Sequence, residues 1–140
     1  MSFKNISEIA GSAMAAQTVR LNTIASNLAN ADSVAGTEAD TYRARKPVFA
    51  AVMGDSPDGM ASAGGKVQVL DVVQSSEPLR QVYEPGNPMA NGDGMVFYPN
   101  VNQVAEMTDM MSASRAFETN VEVLGRIRTM QQSLLKLGEG

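Results

Sequence analysis

Between Pro99 and Gly138 the chain has no further proline, and its only glycine there is Gly125. Met107, Met110, Ser114, Phe117, Val121, Leu124, Ile127, Gln131 and Leu134 follow one another at steps of three or four. That is the period of one face of a helix. A second stripe, Val123, Ile127, Met130, Leu134 and Leu137, widens the apolar arc. A helix of about 35 residues is roughly 50 Å long. A compact globule of this chain's size has a diameter of roughly 37 Å. Such a globule cannot enclose this helix, which favours an open arrangement over the alternative, a helical bundle closed with the β segments. The N-cap is Asn100, with Gln103 completing a capping box, or the equally legal Asn102. Gly138 ends the helix, with Lys136 well placed near its negative end. Gly125 costs about 1 kcal/mol relative to Ala inside a helix, so it marks a close approach or a bend.

The other end of the chain shows the same pattern. Ala10, Met14, Gln17, Leu21, Ile24 and Leu28 form a heptad stripe, broken only by Gln17. The spacing predicts a helix from about Asn5 to Ala29. Its remaining faces hold Ala13, Ala15, Ala16, Ala25 and Ala29 and few charges. Small side chains let neighbouring helices approach closely, so this helix is expected to be contacted on more than one side. Two striped helices at opposite ends of a chain suggest an antiparallel coiled-coil pair. A pair buries one stripe per helix, and the apolar residues left over call for assembly into an oligomer or filament.

Between the helices the pattern changes. Residues 32–41 read as a polar loop. Tyr42–Met53 reads as an edge strand because of Pro47. Residues 54–65 read as a flexible loop. Strands are expected at 66–73, 79–83 and 95–98, with a turn-rich segment at 84–94. The expected fold is α+β: an N-terminal helix within 1–31, a loop and small β-rich module at 32–98, and a C-terminal helix within 99–140.

Composition excludes several chemistries. Among the 140 residues there is no His and no Cys. This removes Ser-His-Asp and Cys-His nucleophiles, Cys/His zinc sites, iron–sulfur clusters and disulfides. A carboxylate acid–base pair or an all-carboxylate metal site remains open. A net charge of −4 argues against general nucleic-acid binding. No run of about 20 apolar residues is present, so no membrane helix is expected. Lys4 is followed by Glu8 among interrupted apolar residues, so a cleaved secretory signal is not expected either. Glu118 and Glu122 are read as ion pairs with Arg115 and Arg126 rather than as a catalytic dyad. Asn91-Gly92-Asp93-Gly94 is read as a turn, since it lacks the later ligands of a calcium loop. No catalytic residue, cofactor or metal is expected. Met107, Met110 and Met111 suit either helix packing or an adaptable partner face.

The segment RLNTIASNLANA at 20–31, then TYRAR at 41–45, resembles the N-terminal signature of the bacterial flagellar rod and hook proteins. YEPGNPMANGDG at 83–94, leading into PNVNQVAEMTDMMSASRAFETNVEVL at 99–124, resembles the C-terminal part of the same family. The chain length and the start FKNISEIAGSAMAAQTVRLNTIASNLANADS resemble its short proximal rod members in particular. The resemblance covers nearly the whole chain apart from about 54–65. Two departures stand out. Relatives often place Gly-Tyr close behind the ANA segment, whereas here Tyr42 follows Thr41. Relatives tend to have an aromatic after the turn glycine, where this chain has Met95.

The resemblance implies a structural subunit of the basal-body rod, which crosses the periplasm as a drive shaft around an axial export channel. It implies export by the flagellar type III apparatus without a cleaved signal. The implied partners are further copies, neighbouring proximal and distal rod subunits, and the adaptor joining rod to membrane ring. Nucleic acid and membrane insertion are not expected. The assembly residues would be Ala10, Met14, Gln17, Leu21, Asn22, Ile24, Asn27, Leu28 and Asn30 on the N-terminal helix. On the C-terminal helix they would be Met107, Met110, Phe117, Val121, Leu124, Ile127, Met130 and Leu134. Asn22, Asn27 and Asn30 are expected to hydrogen-bond between subunits and fix register. The alternative is another type III secreted coiled-coil component, of needle or translocator type.

Overall fold

A computed structural model of the chain describes residues 2–53 and 65–139. Apart from Gly65, the expected loop at 54–65 lies outside the described residues. Helix α1 spans Phe3–Ala29 and helix α2 spans Gln103–Gly138. Helix α1 starts before the expected Asn5 because Ser2 caps it, its Oγ accepting from the Asn5 N–H at 3.3 Å. Asn102 caps α2, its Oδ1 accepting from the Ala105 N–H at 3.1 Å. Asn100 is engaged elsewhere. Its Oδ1 accepts from the Ala44 N–H at 2.7 Å and its Nδ2 donates to the Glu77 carbonyl at 2.8 Å.

Strands β1 (Arg45–Met53) and β2 (Gly65–Gln74) form one antiparallel hairpin. Its register runs from Arg45 opposite Gln74 to Met53 opposite Gly65, with an irregularity between Val48 and Phe49. Strands β3 (Arg80–Tyr83) and β4 (Met95–Tyr98) form a second, separate antiparallel pair. The layout is α+β: two terminal helices with a small β module of two sheets between them. Each sheet has two strands, so Pro47 sits on an edge, where a missing N–H is tolerated.

The helices pack antiparallel. The Arg20 guanidinium meets the Asp109 carboxylate at 2.9 Å. Towards the other end, Ser7 shares a hollow with Val121, Leu124, Ile127 and Gln131. The register set by Arg20 and Asp109 places Ala16 level with Ala113, four residues along each helix. Both are sealed from solvent, at 2% and 0% exposure. Small residues at that level let the two backbones come close. On another side, α1 carries the first hairpin. There the Val67 N–H donates to Ser12 Oγ at 3.0 Å, and Lys66 Nζ lies 3.2 Å from Glu8.

The second β pair packs against the loop after α1 through a bridge between Ala35 and Phe97. Its turn closes as the Asn91 motif suggests. Asn91 Oδ1 accepts from the Asp93 and Met95 N–H groups, and Gly94 takes φ = 74°. That left-handed conformation suits glycine. A Cβ there would also sit 2.8 Å from the Tyr83 ring.

Asn27 locks α1 to the start of β1. Its Nδ2 donates to the Arg45 carbonyl at 2.9 Å, while its Oδ1 accepts from the Arg45 N–H at 2.9 Å and the Tyr42 hydroxyl at 2.8 Å. Tyr42 is thereby drawn into the clamp, and β1 begins at Arg45 rather than at the expected Tyr42. Asn27 is 1% exposed. Replacing it by Ala removes three hydrogen bonds, although the Tyr42 hydroxyl keeps Ser26 Oγ at 3.2 Å, and should destabilise the fold by about 2–4 kcal/mol. Urea unfolding followed by circular dichroism measures this; a loss below about 1 kcal/mol would show that the clamp carries little.

Candidate assembly interface

The two expected sets of assembly residues divide according to what already covers them. On α1, Ala10 and Ile24 are buried, at 3% each. Met14, Gln17, Leu21 and Leu28 are half-buried, and so is Asn30, whose Nδ2 donates to the Ser26 carbonyl at 2.8 Å. Asn22 is exposed. Asn27, expected to bond between subunits, makes three hydrogen bonds within the chain, in the clamp described above. The Oε1 of Gln17 is the one buried side-chain oxygen lacking a hydrogen-bond partner among the described residues.

On α2, Ile127 is buried and Met110, Phe117 and Leu124 are half-buried. The other half of the stripe is bare: Met107, Val121, Met130 and Leu134 are exposed. Val104, Met111, Leu135 and Leu137 join them. The three expected Met residues therefore split, Met110 towards the body of the molecule and Met107 and Met111 towards solvent. Ala113, wholly buried, was missed by the sequence reading, which placed Ser114 on the stripe. Its signal was available as the small residue one position before Ser114.

The length of α2 explains part of the exposure. It has 36 residues against 27 in α1, so it runs about 54 Å against about 40 Å. From Arg128 onward every described residue of α2 is exposed. Further back, Glu122, Gly125, Arg126, Thr129 and Met130 surround a shallow hollow on the helix surface. Their spacing of i, i+3, i+4, i+7 and i+8 is that of a hole which receives a knob in coiled-coil packing. Apart from its own helix backbone and chain neighbours, no described atom lies within 4 Å of a Cβ built on Gly125, so nothing among the described residues requires glycine there.

Electrostatics on this face differ from expectation. Neither Arg115–Glu118 nor Glu122–Arg126 is among the ion pairs closing within 4.0 Å in the described residues. Both are exposed helix pairs, which gain little over hydration. Among the described residues, two coupled groups of the second β pair, Glu84 and Tyr98, are shifted from their ordinary values. Hydrogen bonds from Asn87 and from the Tyr98 hydroxyl hold the Glu84 carboxyl below its ordinary value. The bond to Glu84 holds the Tyr98 phenol above its own. Arg80 stacks over the Tyr98 ring at 4.6 Å. Among the described residues no group of three or more acidic side chains is placed to hold a metal. No helix there is long and apolar enough to cross a membrane.

Two long terminal helices thus flank a small β module, and half of the apolar stripe of α2 is left bare by the described chain. Comparison with known proteins shows the class to which this layout belongs. A model of the flagella basal body rod proteins matches residues 8–36, and a model of the FlgEFG-type basal body rod C-terminal segment matches residues 93–137. The flagellar basal-body rod protein FlgC of Salmonella typhimurium is 49% identical over 99% of this chain and all of its own length. That of Escherichia coli O157:H7 is also 49% identical with the same coverage. That of Bacillus subtilis is 32% identical over 94% of this chain and 95% of its own length. The chain belongs to the FlgC family of flagellar basal-body rod proteins. The needle or translocator alternative is not favoured.

Two outcomes follow. Gly125→Ala should stabilise the isolated chain by about 0.5–1 kcal/mol, because a helix-favouring residue enters open space; thermal unfolding followed by circular dichroism reads it, and a destabilisation would reveal an unseen neighbour. Glu84 has a lowered folded pKa, so its contribution is present above the ordinary carboxylate range and is lost as pH falls through the folded value. The stability gap between the native chain and Tyr98→Phe should therefore be constant near neutrality and shrink on acidification. A gap independent of pH would show that the Tyr98–Glu84 bond does not set the shift.

Proposed function

We propose that the chain is a proximal rod subunit which polymerises through its terminal helices, α1 and α2 forming coiled-coil contacts with those of neighbouring subunits. Residues 1–31 and 99–140 act as the assembly part, and residues 32–98 as an outer module. The assembled rod transmits torque across the periplasm and encloses the export channel. The partners are further copies, adjacent proximal and distal rod subunits and the rod–membrane-ring adaptor. The chain reaches them through the flagellar type III apparatus without signal cleavage. It performs no catalysis. The observation that carries this reading is the bare apolar stripe of α2, from Val104 and Met107 to Leu134 and Leu137. In a monomer that surface is unfavourable; in a many-neighbour lattice each large side chain gains roughly 1.5–3 kcal/mol on burial. An isolated helical overhang is marginal, which suits a chain threaded through an export channel and folded on docking.

Electron microscopy of basal bodies tests the reading. A strain lacking the gene should retain the membrane ring and lose the rod; a complete rod and hook would overturn the proposal. Complementation should succeed with the native chain and fail with Met130→Glu combined with Leu134→Glu. Both positions are exposed, so that variant should keep its monomer circular dichroism spectrum.

A further inference from the structure

The bare stripe of α2 carries one reactive group twice over. Met107 and Met111 lie one turn apart beside Val104, at 56% and 58% exposure. Met110, between them in sequence, is half-buried. The chain has no cysteine, so no thiol competes for an oxidant and no disulfide can form. Reversible sulfur oxidation in this chain therefore means methionine sulfoxide, which turns a flexible apolar side chain into a polar one. At Met110 that change would disturb packing within the chain. Met107 and Met111 already have more than half of their surface in solvent. Oxidation there leaves the fold in place and alters the surface offered to a neighbour.

We propose that Met107 and Met111 form a reversible oxidation site at which a peroxide stops the free subunit from docking. In the step, the thioether sulfur attacks one oxygen of hydrogen peroxide. An S–O bond forms and the O–O bond breaks. The departing hydroxide takes the proton from the transferred oxygen and leaves as water. Sulfur gives up two electrons and the peroxide gains them; a methionine sulfoxide reductase reverses the change. A neighbour that covers this face must then desolvate two strongly accepting sulfoxide oxygens in place of two apolar thioethers, which disfavours the contact. Once docked, the same burial keeps peroxide away from the sulfur. The site is open in the free subunit and closed in the assembly. An oxidised copy is kept out, and an incorporated copy is kept reduced. The inference rests on the rod-subunit reading and adds a chemical control to it.

Hydrogen peroxide is applied to the purified native chain and, separately, to purified basal bodies, and the oxygen gained at each methionine is timed by tandem mass spectrometry. In the free chain Met107 and Met111 should oxidise about tenfold faster than Met110, at rates like those of exposed Met53 and Met89. In basal bodies the rate at the pair should fall about tenfold. Equal rates at Met107, Met110 and Met111 in the free chain, or undiminished oxidation of the pair in assembled rods, would overturn the proposal and leave the rod reading intact. The consequence is read in cells whose sole copy of the gene is altered. Met107→Gln with Met111→Gln places polar side chains of similar length at the site and should cut the rods counted by electron microscopy about tenfold. Met107→Leu with Met111→Leu, which has no sulfur to oxidise there, should build native numbers. Both variants should keep the native circular dichroism spectrum as purified chains. Native rod numbers with the Gln pair, or lost rods with the Leu pair, would overturn the proposal. Rods in a strain lacking the gene would overturn the rod reading itself.

Discussion

The molecule is held together through α1. It packs against α2 on one side and against the first hairpin on another, and among the described elements the hairpin makes its helix contacts with α1. A lone two-stranded hairpin is marginal in water, and a lone helix gains most of its stability from packing. Both neighbours therefore depend on one helix having two usable faces. Its most deeply buried residues are Ala10, Ala16, Thr23, Ile24 and Asn27, of which the two alanines are the smallest. Ala10 and Ala16 serve packing, Ala16 at the level of Ala113, whereas Ala15, Ala25 and Ala29 are exposed and contribute helix propensity.

Periodicity made much of this legible. The steps of three and four marked both helices, and the alternation of valines marked β2. What the sequence could not show is which partner each polar residue would choose. Asn100 and Asn102 are equivalent as caps when judged by local pattern. The structure separates them because the Ala44 N–H and Glu77 carbonyl, distant in sequence, claim Asn100. Asn27 follows the same logic. A polar residue in an apolar helix suggested bonding between subunits, yet its partners are a backbone segment 18 residues away and the tyrosine before it. Long-range backbone partners leave no trace in helical spacing.

The heptad stripe had a related blind spot. It identifies a face but not the neighbour that covers it. Of the eight C-terminal residues assigned to assembly, Met110, Phe117, Leu124 and Ile127 face covering within the chain, while Met107, Val121, Met130 and Leu134 do not. The straight α-helix drifts against a strict heptad by about 20° per repeat, so one stripe cannot stay on one partner along 36 residues. Exposed Met107 and Val121 nevertheless alternate with covered Met110, Phe117, Leu124 and Ile127, so the apolar arc is wider than the contact with α1, and Met130 and Leu134 lie in the stretch of α2 that is exposed throughout.

The mismatch in helix length gives the subunit a direction. Near its start α2 is tied to α1 by the Arg20–Asp109 pair and buries Glu106; from Arg128 onward every described residue of it is exposed. A chain whose ends differ in this way has no reason to pair symmetrically about them. Gly125 then has a rationale that the single chain does not provide. It lies where α2 passes from its covered half to its bare half, and its missing side chain opens the hollow between Glu122 and Met130. Helix stability is given up there, by about 1 kcal/mol, at the level where a neighbouring helix would approach most closely.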